Sequence, residues 1–341
     1  MPKFSGNCIG IDLGTANTLV CTPEKGVIIR EPSYVAYDIR TEEIIAIGMD
    51  AKKLVGKTPN NISVVRPLRD GVISDFELTL AMLSHFVRQA MIKLPFNRPR
   101  VVVCIPYGVT QVEHSALENA LFEVGVGAVA LVEEPVAAAI GAGLAFKTPV
   151  GNMIVDIGGG TCEVAVVTAG GVAVSKSLRI AGDELNEAIV EYIRKKFNVV
   201  IGEITAEDIK KEIGSAHKTS DLGMLEVRGR NLITGLPSVF NIYSSEIRVA
   251  MMPTLSQMID VVKATLEITP PELCADIHTN GIMLSGGGAL LAGLSTLLSE
   301  KTHVKVYTAK RPLDCVVDGI HKIMTKDGFE SVLTVVNHKR V

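Results

Sequence analysis

Val155-Asp156-Ile157-Gly158-Gly159-Gly160-Thr161 lies in mid-chain, and Gly10-Ile11-Asp12-Leu13-Gly14-Thr15 stands near its start. Both read as strand, aspartate, glycine turn, threonine and returning strand. The apolar runs are Cys8 to Asp12 and Thr18 to Thr22 in the first copy, Asn152 to Asp156 and Cys162 to Thr168 in the second. One such hairpin says little, because Asp and Gly are common turn residues. Two matched copies point to two related lobes, each headed by a phosphate-type hairpin. Glycine allows φ > 0 and lets backbone N–H groups face an anion with no Cβ in the way. The hydroxyls of Thr15 and Thr161 can donate to phosphate oxygens. Asp12 and Asp156 fall at strand ends, placed to hold a hydrated Mg2+ between them.

Working outward, Val27 to Ile47 reads as short β pieces. Leu78 to Met91 has helical periodicity, with Leu80, Leu83, Phe86, Val87 and Ala90 on one face. Arg100 to Ile105 is a buried strand. Thr110 opens a helix running through Val124, with Glu113 completing a capping box. Ala128 to Val132 is a strand and Pro135 to Ala145 a small-residue helix. Between them, Glu133 and Glu134 sit at a strand end. A carboxylate there can orient a water for attack on a γ-phosphate; compensation of a helix N-terminus is the plainer alternative. Residues 183 to about 245 mix helices with a charged, turn-rich stretch and read as an outer subdomain. Ile282 to Ala289, followed by Leu290 to Leu298, reads as strand, glycine turn and helix start, another place for an anion or polar ligand.

Composition excludes several classes. A chain of 341 residues with 47% apolar content fits two α/β lobes or one large domain. No window approaches the 18 or so uninterrupted apolar residues of a membrane span, and Met1 to Gly6 has no secretory core. The net charge is -3 with dispersed basic residues, and aromatic content is only 4%, so a nucleic-acid footprint is not expected. The six cysteines form no CxxC pair and read as reduced core thiols. There is no P-loop motif. Gly125 to Ala130 fits a relaxed dinucleotide pattern, but it follows a helix and precedes a strand, the wrong order for that fold.

Together these motifs resemble the actin, Hsp70 and sugar-kinase superfamily. Within it the chain is similar to the MreB family of bacterial actins over about residues 8 to 320. The stretches Gly10 to Val20, Glu133 to Gly143, Val155 to Thr161, Lys211 to Ala216, Val227 to Leu232 and Leu284 to Leu291 carry the likeness. It implies an α/β, actin-like fold: two ribonuclease H-like lobes with four subdomains around a nucleotide cleft. The implied divisions are 1–31, 75–147 and 315–341 (IA), 32–74 (IB), 148–182 and 246–314 (IIA), and 183–245 (IIB). ATP or ADP with Mg2+ would then meet Thr15, Ala16 and Asn17 in the first phosphate loop and Gly158, Gly159 and Gly160 in the second. Glu207, Asp208, Ile209 and Lys210 would flank the adenosine, with Gly286, Gly287, Gly288 and Ala289 as its loop. Glu134 and Thr161 match the pair that positions the hydrolytic water.

The resemblance further implies an ATPase that polymerises, as antiparallel double protofilaments, in the cytoplasm on the inner face of the cell membrane. Its partners would be other copies of itself, anionic lipid and membrane-embedded shape or motility proteins. Guidance of wall synthesis is the usual family role; helical shape or swimming in wall-less bacteria is the other. Met1 to Gly6 is too short for the amphipathic helix many relatives carry. Membrane contact is therefore expected at Leu94 and Phe96, which Lys93, Arg98 and Arg100 flank, and at Lys339 and Arg340 in the tail. A chaperone would need a long C-terminal substrate domain. A sugar kinase would need a substrate pocket with a catalytic Asp and normally a longer chain.

Overall fold

The computed structural model describes residues 8–91 and 98–337. Leu94, Phe96, Lys339 and Arg340 lie outside those residues. Two mixed sheets form the lobes. In the first, the strand Cys8–Leu13 is central. Asn17–Thr22 and then Gly26–Pro32 pair antiparallel on one side of it, and Arg100–Ile105 and then Ala128–Glu133 lie parallel on the other. Thr334–Asn337 adds an antiparallel edge strand. In the second, Asn152–Ile157 takes the central place. Cys162–Thr168 and Gly171–Leu178 are antiparallel on one side, Ile282–Ser285 and Val306–Thr308 parallel on the other. The five-strand order is the same in both lobes. The central strands are covered on both faces, which is why they read as unbroken apolar runs.

The hairpins also share their register. Asp12 pairs with Leu19 and Leu13 with Thr18; Asp156 pairs with Glu163 and Ile157 with Cys162. Each turn is closed by the same bond, Gly14 N–H to Asn17 O at 3.1 Å and Gly158 N–H to Thr161 O at 2.8 Å. The structure therefore corrects the match made by residue type. Thr161 is the counterpart of Asn17, and Thr15 that of Gly159, because strand pairing sets the correspondence.

Two helices hold the lobes together. Glu134–Ala142 and Cys315–Thr325 lie in one apolar cluster with Cys8, Leu19, Val102 and Ala130 of the first sheet and Ile154, Ala165 and Val167 of the second. They cross at glycines. A Cβ on Gly141 would come within 1.7 Å of Cys315 O, and one on Gly319 within 1.9 Å of Ala137 O. The first helix stops at Ala142, three residues before the expected end, because Gly143 turns left-handed at φ 83°. The capping box at Thr110 and Glu113 is present at the head of Gln111–Glu123. In Phe76–Met91 the buried stripe is Leu78, Thr79, Met82, Leu83, Phe86, Val87 and Ala90, and Leu80 falls outside it. No helix among the described residues is long and apolar enough to cross a membrane. Cys8, Cys21, Cys104, Cys162 and Cys315 are buried and Cys274 partly so, all as free thiols.

Each lobe carries an outer part. On the first it is a sheet of Val35–Asp38, Ile44–Ile47 and Ile62–Val65. On the second, Val199–Val200, Met224–Asn231 and Pro237–Tyr243 form a sheet beside helices Gly182–Phe197 and Glu203–Ile213.

The glycine crossing makes a direct prediction. Gly319→Ala forces two helices apart in a packed core, and should cost about 1–3 kcal/mol of unfolding free energy. Gly171→Ala, where a Cβ meets nothing within 4 Å, should stay within about 0.5 kcal/mol. Denaturant melts of the two variants check this; equal stability would contradict the close crossing.

Candidate functional site

The two hairpin turns meet across the lobes. A Cβ on Gly159 would lie 2.8 Å from the Ala16 Cβ, and one on Gly160 3.0 Å from the backbone of Asp70 and 3.1 Å from Thr15 Oγ1. Gly159 therefore requires glycine for close approach, and Gly160 leaves little room for more. The first turn is braced from outside. Thr15 Oγ1 accepts from Gly71 N–H at 2.9 Å, and Ser33 Oγ donates to Gly14 O at 2.7 Å. Thr15 keeps its hydroxyl proton to donate elsewhere. Among the described residues, the N–H groups of Thr15, Ala16, Gly159 and Gly160 donate to no protein acceptor. Free N–H groups on two facing turns make an anion cradle.

Carboxylates surround the cradle. Asp12 is half-buried and Asp156 fully buried, at matching strand ends. Cross-strand pairing sets a polar row on one sheet face: Ser285, Asp156, Glu163, Ser177. Ser285 Oγ donates to Asp156, and the Glu134 carboxyl lies beside Asp156 from the other lobe. Glu163 Oε1 accepts from Tyr107 N–H at 3.0 Å and from Ser177 Oγ at 3.4 Å, while its Oε2 has no partner. Burial pushes Asp12 up to about 7, and the charge of Asp156 adds to the rise. Burial likewise raises Asp156, Glu134 and Glu163. For Glu134 the charges of Glu163, Asp156 and Asp12 add further. Acids crowded this way, short of protein cations, have the chemistry of a hard-cation site. No group of three or more His, Cys, Asp or Glu among the described residues converges to hold an ion by itself. Beside Thr161 the site opens into a cavity of about 530 Å3, whose lining includes Asp70, Tyr107, Lys176 and Arg179.

The other predicted residues divide. Gly286, at φ 78°, packs its Cα on Ile157 O, and Gly288 packs on the Ile157 side chain, so this loop backs the second hairpin. The segment Gly287–Leu290 is a 3-10 turn, and the following helix begins only at Leu294. The loop is thus not the helix start expected from sequence. On Glu203–Ile213, Lys210 Nζ donates to Gly182 O at 2.6 Å, and Gly182 packs over Gly158 and Gly159. Burial pulls Lys210 down to about 8. Burial would raise Glu207, but hydrogen bonds from Lys211 and Lys52 overcome it and hold the carboxyl at about 2. Asp208 is exposed and Ile209 sits in the core, whereas Glu207 pairs with Lys52 of the first lobe and Lys210 binds Gly182 beside the second hairpin. Sequence reading missed Ser285, Glu163 and Asp70. Glu163 had a signal, a lone carboxylate in the apolar strand Cys162–Thr168.

Comparisons with known proteins agree with one another. A family profile described as MreB/Mbl protein matches residues 6–330. Cell shape-determining protein MreB of Escherichia coli (strain K12) is 47% identical over 330 residues, covering 94% of each chain. Cell shape-determining protein Mbl of Bacillus cereus is 45% identical over 311 residues, 91% of this chain and 93% of that one. Among solved structures, MreB5 of Spiroplasma citri bound to ADP has a TM-score of 0.89 at 40% identity, covering 94% of this chain and 96% of that one. The same protein is also known bound to AMPPNP. A chain of the MamK double helical filament, at 20% identity and a TM-score of 0.79, shares the fold.

The buried acids make stability depend on pH. In the nucleotide-free protein Asp12 keeps its proton up to about 7, whereas an unfolded aspartate loses it near about 4. Between those values the native chain binds more protons, so stability falls as pH rises. Asp12→Asn removes that loss. It should stabilise the nucleotide-free protein at pH 7.5 and change little at pH 4, in denaturant melts at both. An equal change at both would contradict the assignment.

Proposed function

The chain belongs to the MreB/Mbl family and has its actin-like fold, and from that premise we propose that it is an ATP-dependent cytoskeletal filament protein that hydrolyses ATP to ADP and phosphate. The observation that carries this is the pair of facing hairpins with free N–H groups and strand-end acids. Thr15, Ala16 and Asn17 on one side and Gly158, Gly159 and Gly160 on the other bind the phosphates. Asp12 and Asp156 would hold Mg2+ through its waters. When bound, Mg2+ neutralises charge on the phosphate oxygens. Glu134 and Thr161 orient the attacking water, Glu134 as the acceptor, in line with the terminal phosphate; positioning is most of what phosphoryl transfer needs. Glu207 and Lys210 flank the adenosine opposite Gly286 to Ala289. The cleft lies between four subdomains divided as the resemblance implies.

We further infer that copies of the chain assemble, through antiparallel protofilaments, on the inner face of the cell membrane, and so govern cell shape. Membrane-embedded shape or motility proteins are further partners of this reading. Support for self-assembly comes from family membership, and support for nucleotide from the ADP and AMPPNP complexes of MreB5.

Electron microscopy of the pure protein should show filaments with ATP and Mg2+ and none without. Glu134→Ala should still bind ATP but release phosphate at least about tenfold more slowly. Turnover equal to the parent would shift the role to Glu133. A parent that forms no polymer would contradict the reading.

The membrane proposal is tested on liposomes. Deleting 338–341 should cut pelleting with anionic vesicles in a salt-sensitive way. Serine at both Leu94 and Phe96 should remove a share that salt barely touches. Equal pelleting of all forms would exclude both segments as the link.

A further inference from the structure

The outer parts of the two lobes are tied to each other by charge. Arg66, just after the strand Ile62–Val65, reaches across from the first lobe. Its guanidinium forks, giving one nitrogen to Asp183 at 2.7 Å and another to Glu203 at 2.6 Å. Lys52, the last residue of the short helix Met49–Lys52, donates to Glu207 at 3.0 Å. Tyr34 braces both cations from below. Its ring centroid is 5.6 Å from the Arg66 guanidinium and 6.0 Å from the Lys52 ammonium, and its hydroxyl reaches Glu203 at 3.4 Å. Tyr34, Lys52 and Arg66 belong to the first lobe; Asp183, Glu203 and Glu207 to the second.

These pairs stand directly over the phosphate cradle. Asp183 N–H donates to Gly159 O at 2.8 Å, and Gly182 N–H to Gly158 O at 3.2 Å. The residue that Arg66 grips is therefore bonded to the second hairpin turn. Glu207 is one helical turn from Lys210, whose ammonium binds Gly182 O. An isolated surface pair contributes little. Here one rigid fork joins two carboxylates, the side chain of Arg66 is only 19% exposed, and an aromatic face lies beneath it. Without the two cations, Asp183, Glu203 and Glu207 would lose their ion pairs to the first lobe, leaving the hydroxyl of Tyr34 on Glu203 as the remaining bond at this point.

We propose that Arg66 and Lys52 are positioning residues of an ionic latch that holds the cleft shut over bound nucleotide, so that its opening sets how long the nucleotide stays. This rests on the nucleotide reading above and adds the step that controls release. The latch acts on departure, because the pairs lie between the outer parts and not against the phosphates.

The test uses the full chain, kept below its polymerising concentration, loaded with a fluorescent ATP analogue and Mg2+ and chased with unlabelled ATP. Arg66→Glu should release nucleotide about tenfold faster, the loss expected for a charge-assisted fork. Raising salt from about 50 to about 500 mM should speed release from the parent and leave the double variant Arg66→Glu with Lys52→Glu, which lacks both cations of the latch, nearly unchanged. Combining Arg66→Glu with Asp183→Lys and Glu203→Lys rebuilds the fork with its charges exchanged, and should restore slow release. Matching thermal melts show that the variants fold. Unchanged release from a folded Arg66→Glu, or failure of the exchanged fork to slow it, overturns the latch while leaving nucleotide binding intact. A parent that holds no analogue at all overturns the latch together with the nucleotide reading.

Discussion

The approach of Gly159 to Ala16 is the contact on which the rest of the molecule depends. It brings two hairpin turns from different lobes within van der Waals reach, leaving no room for a Cβ at Gly159 and only a tight fit for one at Gly160. Holding them there needs a rigid frame behind. The helices Glu134–Ala142 and Cys315–Thr325 supply it by crossing at Gly141 and Gly319 inside a core shared by both sheets. The first of these helices also begins at Glu134. The element that fixes the spacing of the lobes therefore places a carboxylate beside Asp156, at the head of the second hairpin.

That geometry has an electrostatic cost. Asp12, Glu134, Asp156 and Glu163 share a poorly solvated space, and the nearest help from protein cations is the partial effect of Arg30 on Asp12. Buried like charges disfavour ionisation. The nucleotide-free protein answers by holding protons there. A ligand that brings a cation and fills the cradle stabilises the native state by mass action. On the proposed function, a site of crowded buried acids would couple nucleotide binding to the relative placement of the lobes, as a nucleotide-dependent polymer requires.

Much of the fold was legible because its signals are local. Glycine turns after strand-end aspartates marked both hairpins, Thr110 and Glu113 marked a helix start, and unbroken apolar runs marked the central strands. What escaped depends on partners distant in sequence. The register that matches Thr161 with Asn17 comes from strand pairing, and residue type alone suggested Thr15. Ser285 and Glu163 join the site as cross-strand neighbours of Asp156, 129 residues away in the first case. Arg66 meets Asp183 and Glu203 across 117 and 137 residues. The four-residue run Glu207 to Lys210 was read as one block, yet a helix turns its neighbours to different faces, and Ile209 went to the core.

The most direct test of the account is a structure of this chain determined with AMPPNP and Mg2+. The account predicts the phosphates between the two turns, contacted by the N–H groups of Thr15, Ala16, Gly159 and Gly160, with the metal's waters on Asp12 and Asp156. A nucleotide bound against one turn only, or a metal that leaves both aspartates untouched, would contradict it.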